Sequence, residues 1–166
     1  MTEEKFNKDE VVRLVNEYSD LILRVSYTYV KSTHDAEDIC QTVFLKLLKS
    51  SPSFDNREHE RAWIIRTTAN TCKDLLRSAF RRKTVNLEAA AGVIAPQEPQ
   101  GVVLEKVMAL PRKYREAIYL FYYEGYSLKE ISAITGNSEA AVAAHVSRAR
   151  KKLHKTLKGL YYEQGI

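Results

Sequence analysis

The residues best suited to chemistry lie on one face of a short segment near the C-terminal end of the chain. Small side chains come first and cations follow at helical spacing: Ala140, Ala144, Ser147, Arg148 and Lys151. Small residues let the start of a helix approach base edges in a major groove, whereas cations further along can bind phosphates. The pattern favours a helix that reads DNA over a helical hairpin with a solvated basic face.

The residues around this helix carry the signals of a helix-turn-helix between Leu110 and Leu153. Proline is favoured at the first helical position, and glycine can adopt the left-handed conformation that ends a helix. The sequence Ser-Leu-Lys-Glu is a capping box, in which each end accepts a hydrogen bond from the backbone of the other. The predicted boundaries are a helix start at Pro111, an end at Gly125, a cap at Ser127, a break at Gly136–Asn137 and a cap at Ser138.

A second basic helix is predicted upstream, from about Glu60 to Phe80. Its buried stripe is predicted to contain Ala62, Ile65, Ala69, Cys72 and Leu76. Beside it runs a stripe of cations with one amide: Arg66, Asn70, Lys73, Arg77 and Arg81, extended by Arg82 and Lys83. Asp74 lies next to this stripe, but no i,i+4 ion pair relieves the repulsion between the cations. The stripe therefore favours a nucleic-acid contact over a solvated helix face.

Two aromatic residues stand next to this second stripe, Phe54 in the preceding loop and Trp63 near the start of the helix. Aromatic rings beside a basic groove can stack on unpaired bases. A base that is flipped out of a duplex needs such a pocket, with polar groups that contact its edge. Each ring taken alone is more often a core residue, because large rings dominate core burial.

The charge of the chain is concentrated in two blocks. The formal net charge is +5, whereas residues 57–83 and 112–158 carry +5 and +6 and are separated by mildly acidic stretches. Two separate basic blocks suit two contacts along a polyanion better than one diffuse patch does. The apolar content of 45% is sufficient for a folded core.

No residue spacing predicts a cofactor or a metal site. Cys40 and Cys72 fall on apolar helical stripes and are expected to be reduced core residues. The four histidines lack ligand spacing, and no P-loop or nucleophile–base pair is present, so an enzyme is not favoured. The N-terminus lacks a signal-peptide core, and no apolar run reaches the length of a membrane span. We therefore expect a cytoplasmic protein without membrane insertion.

The hydrophobic periodicity predicts an all-α chain of two small helical domains joined by a flexible linker. Apolar residues recur at helical spacing over residues 10–30 and 35–49, ahead of the two basic helices. Two prolines and two glycines fall in the acidic segment 84–101, which is typical of a linker. The predicted organisation is an N-terminal domain over 1–83, a linker over 84–101, a helix-turn-helix domain over 102–158 and a tail over 159–166.

Four segments of the chain together resemble a known family. They are DAEDICQTVFLKLLK from Asp35, RAWIIRTTANTCKDLLR from Arg61, LPRKYREAIYLFYYEGYSLKEISAITG from Leu110 and AVAAHVSRARKKL from Ala141. In this order and spacing they resemble the bacterial RNA polymerase sigma factors of the extracytoplasmic-function (ECF) group, part of the sigma-70 family. The resemblance covers about residues 10–82 and 102–155.

The resemblance implies a promoter-specificity subunit that binds core RNA polymerase through its beta-prime and beta subunits. The first domain would melt and bind the −10 element, and the second would read the −35 element. The helix over 35–49 would dock on the coiled coil of beta-prime, with Asp38, Gln41, Phe44 and Leu45 on the contact face. The resemblance also implies an anti-sigma factor that masks these faces.

The resemblance further assigns roles to individual residues in promoter binding. The loop from Ser53 to His59 would determine −10 specificity, and Asn70 matches a position that contacts the captured base. The predicted −10 set is Phe54, Trp63, Arg66, Asn70, Lys73, Arg77, Arg81 and Arg82. The predicted −35 set is Ser138, Glu139, Ala143, Ala144, Ser147, Arg148 and Lys151.

The chain departs from the family pattern at Ala143 and Ala144, where members commonly carry Lys or Arg followed by Ser or Thr. Alanine can contact a thymine methyl group but cannot hydrogen-bond to a base edge. We therefore expect −35 readout to depend on Glu139, Ser147 and Arg148, or on DNA shape.

A stand-alone helix-turn-helix regulator, with an N-terminal dimerisation domain, is the alternative to a sigma factor. The discriminating feature is residues 35–83, because a dimerisation domain has no need of a basic stripe beside aromatic rings.

Overall fold

The fold was obtained as a computed structural model, which describes residues 6–82 and 101–163. All regular secondary structure in these two ranges is helical. The helices are α1 (Lys8–Val30), α2 (Thr33–Ser50), α3 (Arg57–Arg82), α4 (Val102–Met108), α5 (Arg112–Tyr122), α6 (Leu128–Thr135) and α7 (Glu139–Glu163). The chain divides into two compact units, Met1–Pro96 and Gln97–Ile166. The expected all-α fold of two helical domains, the second a helix-turn-helix, is confirmed.

Short polar side chains begin each of the three N-terminal helices. The Asn7 side chain accepts a hydrogen bond from the Glu10 N–H at 2.9 Å, and Ser32 accepts one from the Asp35 N–H at 3.2 Å. At the start of α3, Asn56 accepts one from the backbone N–H three residues later, at 2.8 Å. These bonds satisfy backbone donors that lack an intrahelical partner.

The three helices of the N-terminal unit pack against one another around a single core. Its largest fully buried side chains are Leu14, Ile22, Val25, Val43, Leu47, Ile64 and Ile65. The predicted buried stripe of α3 was wrong at Ala62, which is exposed, while Ile64 and Thr68 are buried. Because α3 contacts both α1 and α2, its buried face is wide and is centred further from the basic stripe than the sequence suggested.

The helices α4 to α7 form the C-terminal unit, in which α7 contacts all three others. The side chains of Val107, Ile118, Leu120, Ile131 and Val142 are fully buried there. The buried Arg115 side chain donates to the Leu110 carbonyl at 3.1 Å and to the Met108 carbonyl at 3.5 Å. A buried guanidinium thus satisfies carbonyls at the end of α4 and joins that helix to α5.

The predicted boundaries of the helix-turn-helix are largely confirmed. Gly125 and Gly136 are left-handed, with φ of +74° and +79°, and Ser127 forms the capping box with Glu130. The helix α5 already ends at Tyr122, three residues before the end predicted at Gly125. Pro111 is the N-cap of α5 rather than its first residue, because its ψ of 146° is extended. Its carbonyl still accepts the first bonds of that helix.

The predicted linker and tail meet the described residues only at their edges. Of the linker 84–101, residues 84–100 lie outside the described ranges, so its limits stay a prediction. The helix α7 continues to Glu163 and therefore passes residue 159, where the tail was predicted to begin. A single glycine at position 159 weakens a helix but need not end it.

Cys40 and Cys72 do not form a disulfide; Cys72 is buried and Cys40 is half-buried. In the described part of the chain, none of the helices has the length and apolarity needed to cross a membrane.

Candidate nucleic-acid interface

The loop before α3 and the first turns of that helix bring three rings together. The Phe54 ring meets His59 edge-on, with centroids 5.4 Å apart, and meets Trp63 at 6.0 Å. The Nδ1 atom of His59 accepts a hydrogen bond from the Asp55 N–H at 3.2 Å. Phe54 and Trp63 are half-buried and His59 is exposed, so the cluster is open to a partner. The sequence predicted Phe54 and Trp63 here but gave no role to the His59 ring.

A buried carboxylate, that of Glu60, follows the His59 of this cluster directly in the sequence of α3. Glu60 is 6% exposed and accepts two hydrogen bonds from Arg13 of α1, at 2.9 and 3.1 Å. The Tyr18 hydroxyl donates to the same carboxylate at 2.7 Å. Burial alone would raise the pKa of Glu60, but the bonds from Arg13 and Tyr18 outweigh it and lower the pKa. Glu60 is therefore held as an anion at neutral pH.

The predicted stripe of α3 is exposed at three of its positions and half-buried at a fourth. Arg66, Asn70 and Arg77 are exposed, and Lys73 is half-buried. At 100° per residue, Trp63 belongs to the same side of the helix as this stripe. The side chains of Arg81 and Arg82 lie outside the described residues.

One expectation about the α3 stripe was wrong. Arg77 forms an ion pair and a hydrogen bond with Asp74, one turn earlier on the helix. The pair has i,i+3 spacing, whereas only i,i+4 relief of the cation repulsion was considered. The effective positive charge of this face is therefore lower than the count of its cations.

The predicted polymerase-binding face of α2 carries mostly exposed side chains. Asp38, Gln41 and Leu45 are exposed, and Leu45 is 66% accessible. Phe44 is half-buried at the edge of this face. An exposed leucine between polar neighbours is compatible with a protein contact, although single exposed apolar residues are common.

The predicted −35 residues lie at the start and along one side of α7. The Ser138 hydroxyl caps the helix by accepting from the Ala141 N–H at 3.1 Å. The exposed members are Ser138, Glu139, Ser147, Arg148 and Lys151, whereas Ala143 and Ala144 are half-buried. The start of α7 therefore presents small and polar atoms, and cations follow further along.

Two other cations of α7 contact aromatic rings, which the sequence did not predict. The Arg150 guanidinium lies 5.1 Å from the Tyr122 ring centroid and 5.6 Å from that of Phe121. The Lys152 ammonium lies 5.8 Å from the Tyr114 ring centroid. Arg150 and Lys152 therefore contact rings of α5 although both are exposed, whereas Arg148 and Lys151 are exposed on the predicted −35 face.

Comparison with known proteins identifies both units. The family Sigma-70 region 2 matches residues 14–82, and the family Sigma-70, region 4 matches residues 100–153. The RNA polymerase sigma factor SigZ of Bacillus subtilis is 30% identical over 131 residues, which cover 74% of this chain and 73% of SigZ. The ECF RNA polymerase sigma factor SigW of the same organism is 28% identical over 94% of this chain and 93% of SigW.

The chain belongs to the ECF group of RNA polymerase sigma factors. A sigma factor of this kind directs core RNA polymerase to promoters for transcription initiation. The structure of the sigma factor RpoE in complex with the anti-sigma factor NepR, from Bartonella quintana, shares the fold, with a TM-score of 0.72. It is 22% identical and the match covers 90% of this chain and 98% of that one.

The two family matches cover most of the residues of the candidate surfaces. The region 2 match contains the loop before α3, the aromatic cluster and the basic stripe of α3. It also contains Tyr18 and Glu60, the two residues that contact each other beside Arg13. The region 4 match ends at Leu153, whereas α7 runs to Glu163. The last turns of α7 are therefore outside the part of this sigma factor that the family describes.

Proposed function

We propose that this sigma factor holds a melted −10 strand on α3 and a duplex −35 element on α7. The observation that carries the proposal is the contrast between the two exposed cationic helix faces. The α3 face begins at the rings of Phe54 and Trp63, which suit unpaired bases, whereas the α7 face begins with small residues, which suit a major groove. Asn70 would contact the captured base.

The proposed activity is binding rather than chemistry. Capture of an extruded base offsets part of the cost of unstacking it, so melting needs no catalytic group. We therefore propose that the chain is not an enzyme and that it acts in the cytoplasm with core polymerase. The proposed docking face for the polymerase is the α2 surface of Asp38, Gln41, Phe44 and Leu45. An anti-sigma factor is a further proposed partner, because the similar RpoE structure contains one.

Run-off transcription with purified core polymerase tests this function. The sigma factor is expected to direct initiation from a cognate promoter, selected from its host genome, that core polymerase alone does not use. Tight binding to duplex DNA by the chain alone, without stimulation of core polymerase, would instead support a stand-alone regulator.

Matched variants assign the three surfaces. Arg66→Ala is expected to weaken binding to DNA with a premelted −10 region. Arg148→Ala is expected to weaken binding to the −35 duplex. Leu45→Asp is expected to weaken core binding without affecting the fold, since the side chain is mostly exposed. Lys8→Ala removes an exposed cation outside all three surfaces and serves as the control. An Arg66 variant that behaves like Lys8→Ala contradicts the −10 assignment.

A further inference from the structure

The −10 loop has little apolar burial of its own. Ser53, Asp55 and Asn56 are exposed, and Phe54 is only half-buried. Residues 57–59, predicted as part of this loop, belong to the first turn of α3 and are also exposed. A loop with so few buried contacts is ordered only if other interactions restrict its ends. Its first end follows Pro52, and its second end is the start of α3.

The start of α3 is attached to α1 by polar contacts that are buried or half-buried at Glu60 and exposed at Arg57. Arg13 contacts both carboxylate oxygens of Glu60, and the Tyr18 hydroxyl contacts one of them. Arg57, at the first position of α3, adds a bond to Glu17 of α1 at 2.8 Å. A bidentate arginine–carboxylate pair fixes orientation as well as distance. The helix start therefore has a defined position on α1.

The same helix turn carries the aromatic cluster. Glu60 directly follows His59 and precedes Trp63 by three residues, so all three lie within the first two turns of α3. The Asn56 side chain and the His59 ring then hold the loop to that turn through backbone N–H groups. A displacement of Glu60 would move the rings that face the proposed DNA strand.

We propose that Arg13, Tyr18 and Glu60 form a positioning cluster for promoter opening, which sets the loop and the Phe54–His59–Trp63 rings in the geometry that captures the melted strand. These residues act through the loop and do not contact DNA. The inference rests on the proposed role of α3 in −10 binding.

Trp63 provides a direct readout, because it is the only tryptophan of the chain. In the free sigma factor, Glu60→Gln is expected to make Trp63 emission more accessible to acrylamide while the helix content by circular dichroism stays that of the wild type. In the holoenzyme it is expected to weaken binding to premelted −10 DNA about tenfold. This factor corresponds to the net stabilisation from about one charge-assisted hydrogen bond, here a bond that holds the start of α3 in place. Core affinity and −35 duplex binding should not change. Tyr18→Phe is expected to act in the same direction with a smaller effect.

Two controls separate positioning from general stability. Glu10→Gln removes a partner of Arg13 whose side chain is 40% exposed and whose ion pair is made within α1, and it should resemble the wild type. Val43→Ala lowers the stability of the same unit from a fully buried site on α2 and should leave both readouts unchanged at a temperature where it is folded. If Glu60→Gln resembles Glu10→Gln, or if Val43→Ala reproduces its effects, the positioning role is wrong.

The two proposals fail in different ways. If the wild-type holoenzyme does not bind premelted −10 DNA at all, the function proposed for α3 is contradicted. If the wild type binds and Glu60→Gln binds equally well with unchanged Trp63 quenching, only the positioning cluster is contradicted.

Discussion

The two basic helices, α3 and α7, are placed by different physical means. The start of α3 is fixed by Glu60, whose partners Arg13 and Tyr18 are 47 and 42 residues away in the chain. The start of α7 is fixed by contacts within five residues: the Ser132 hydroxyl donates to the Asn137 carbonyl at 2.6 Å, and Ser138 caps the helix. The start of α3 thus adds a long-range, partly buried ion pair to its local Asn56 cap, whereas these contacts at the start of α7 are local.

The two helices also differ in the charge that they present. Arg77 of α3 is paired with Asp74, whereas no acidic residue occurs in α7 between Glu139 and Glu163. Single-strand binding gains affinity from stacking on aromatic rings, while duplex binding depends more strongly on phosphate neutralisation. The difference in charge therefore matches the different DNA forms proposed for the two surfaces.

The largest effect is expected from Glu60→Ala, which leaves Arg13 half-buried without its buried partner. Removing one member of a buried ion pair is strongly destabilising, but Arg13 keeps Glu10 and Glu17, so we expect a loss of about 3 kcal/mol. Urea denaturation followed by Trp63 fluorescence reports the N-terminal unit. Glu10→Ala, which removes a carboxylate with a 40% exposed side chain, should lower the free energy of unfolding by less than about 1 kcal/mol. Equal losses for the two variants would show that burial of the pair is unimportant.

Acidification is expected to destabilise the two units over different pH ranges. The pKa of Glu60 is lowered from its ordinary value of 4.5, so the N-terminal unit loses this contribution only as the pH falls from 4.5 through the folded-state pKa. Burial lowers the pKa of His145 in α7 from 6.5, with Lys113 and Arg148 adding to the effect and Glu116 opposing it. The unfolded histidine then binds the proton more readily, so the C-terminal unit begins to lose stability near pH 6.5.

Single substitutions test these pH ranges. Glu60→Gln should make the free energy of unfolding of the N-terminal unit less dependent on pH below pH 4.5, without affecting the C-terminal unit. His145→Gln should do the same for the C-terminal unit below pH 6.5, without affecting the N-terminal unit. Trp63 fluorescence reports the first unit, and amide hydrogen exchange resolves the second. Coincident acid transitions in the two units would contradict the assignment.

The helix-turn-helix could be predicted in detail because its signals are local. A capping box, left-handed glycines and a serine cap each act within a few residues, so the sequence shows them directly. The same applies to the apolar periodicity of α1, α2 and α7, which predicted the fold class. The start of α5 was predicted one residue too early, at Pro111, because helix-start signals do not distinguish an N-cap from the next residue.

The surroundings of the −10 site could be predicted only in part. Phe54, Trp63, Arg66 and Asn70 were predicted from residue type and spacing, and their role in −10 binding stays a prediction. The connection of Glu60 to Arg13 joins distant segments and has no local signature. The exposed Ala62 was misplaced because periodicity along one helix does not show how many neighbours that helix has. Tertiary packing against α1 and α2 determined the buried face.

A smaller effect is expected at the turn before α7. Gly136 has a φ of +79°, and a Cβ atom there would meet nothing within 4 Å, so Gly136→Ala changes only the backbone energy. We expect a loss of about 1 kcal/mol in the C-terminal unit. Gly136→Asn should cost less, because asparagine tolerates the left-handed region. Hydrogen exchange of α7 amides measures both, and an alanine variant as stable as the wild type would show that the turn can relax.

The smallest effect is expected from the pairing of Arg77 with Asp74. A cation that contacts single-stranded DNA contributes about 0.7 to the slope of log affinity against log salt concentration, and Arg66→Ala should remove that amount. Arg77→Ala should remove less, since Asp74 already neutralises part of its charge in the free protein. In an Asp74→Asn background, Arg77→Ala should remove as much of the slope as Arg66→Ala does. Asp74→Asn alone should strengthen binding of the holoenzyme to premelted −10 DNA at low salt. Equal salt slopes for the Arg66 and Arg77 variants would mean that the Arg77–Asp74 pair opens at no cost when DNA binds. The charge contrast between α3 and α7 would then be smaller than the free structure implies.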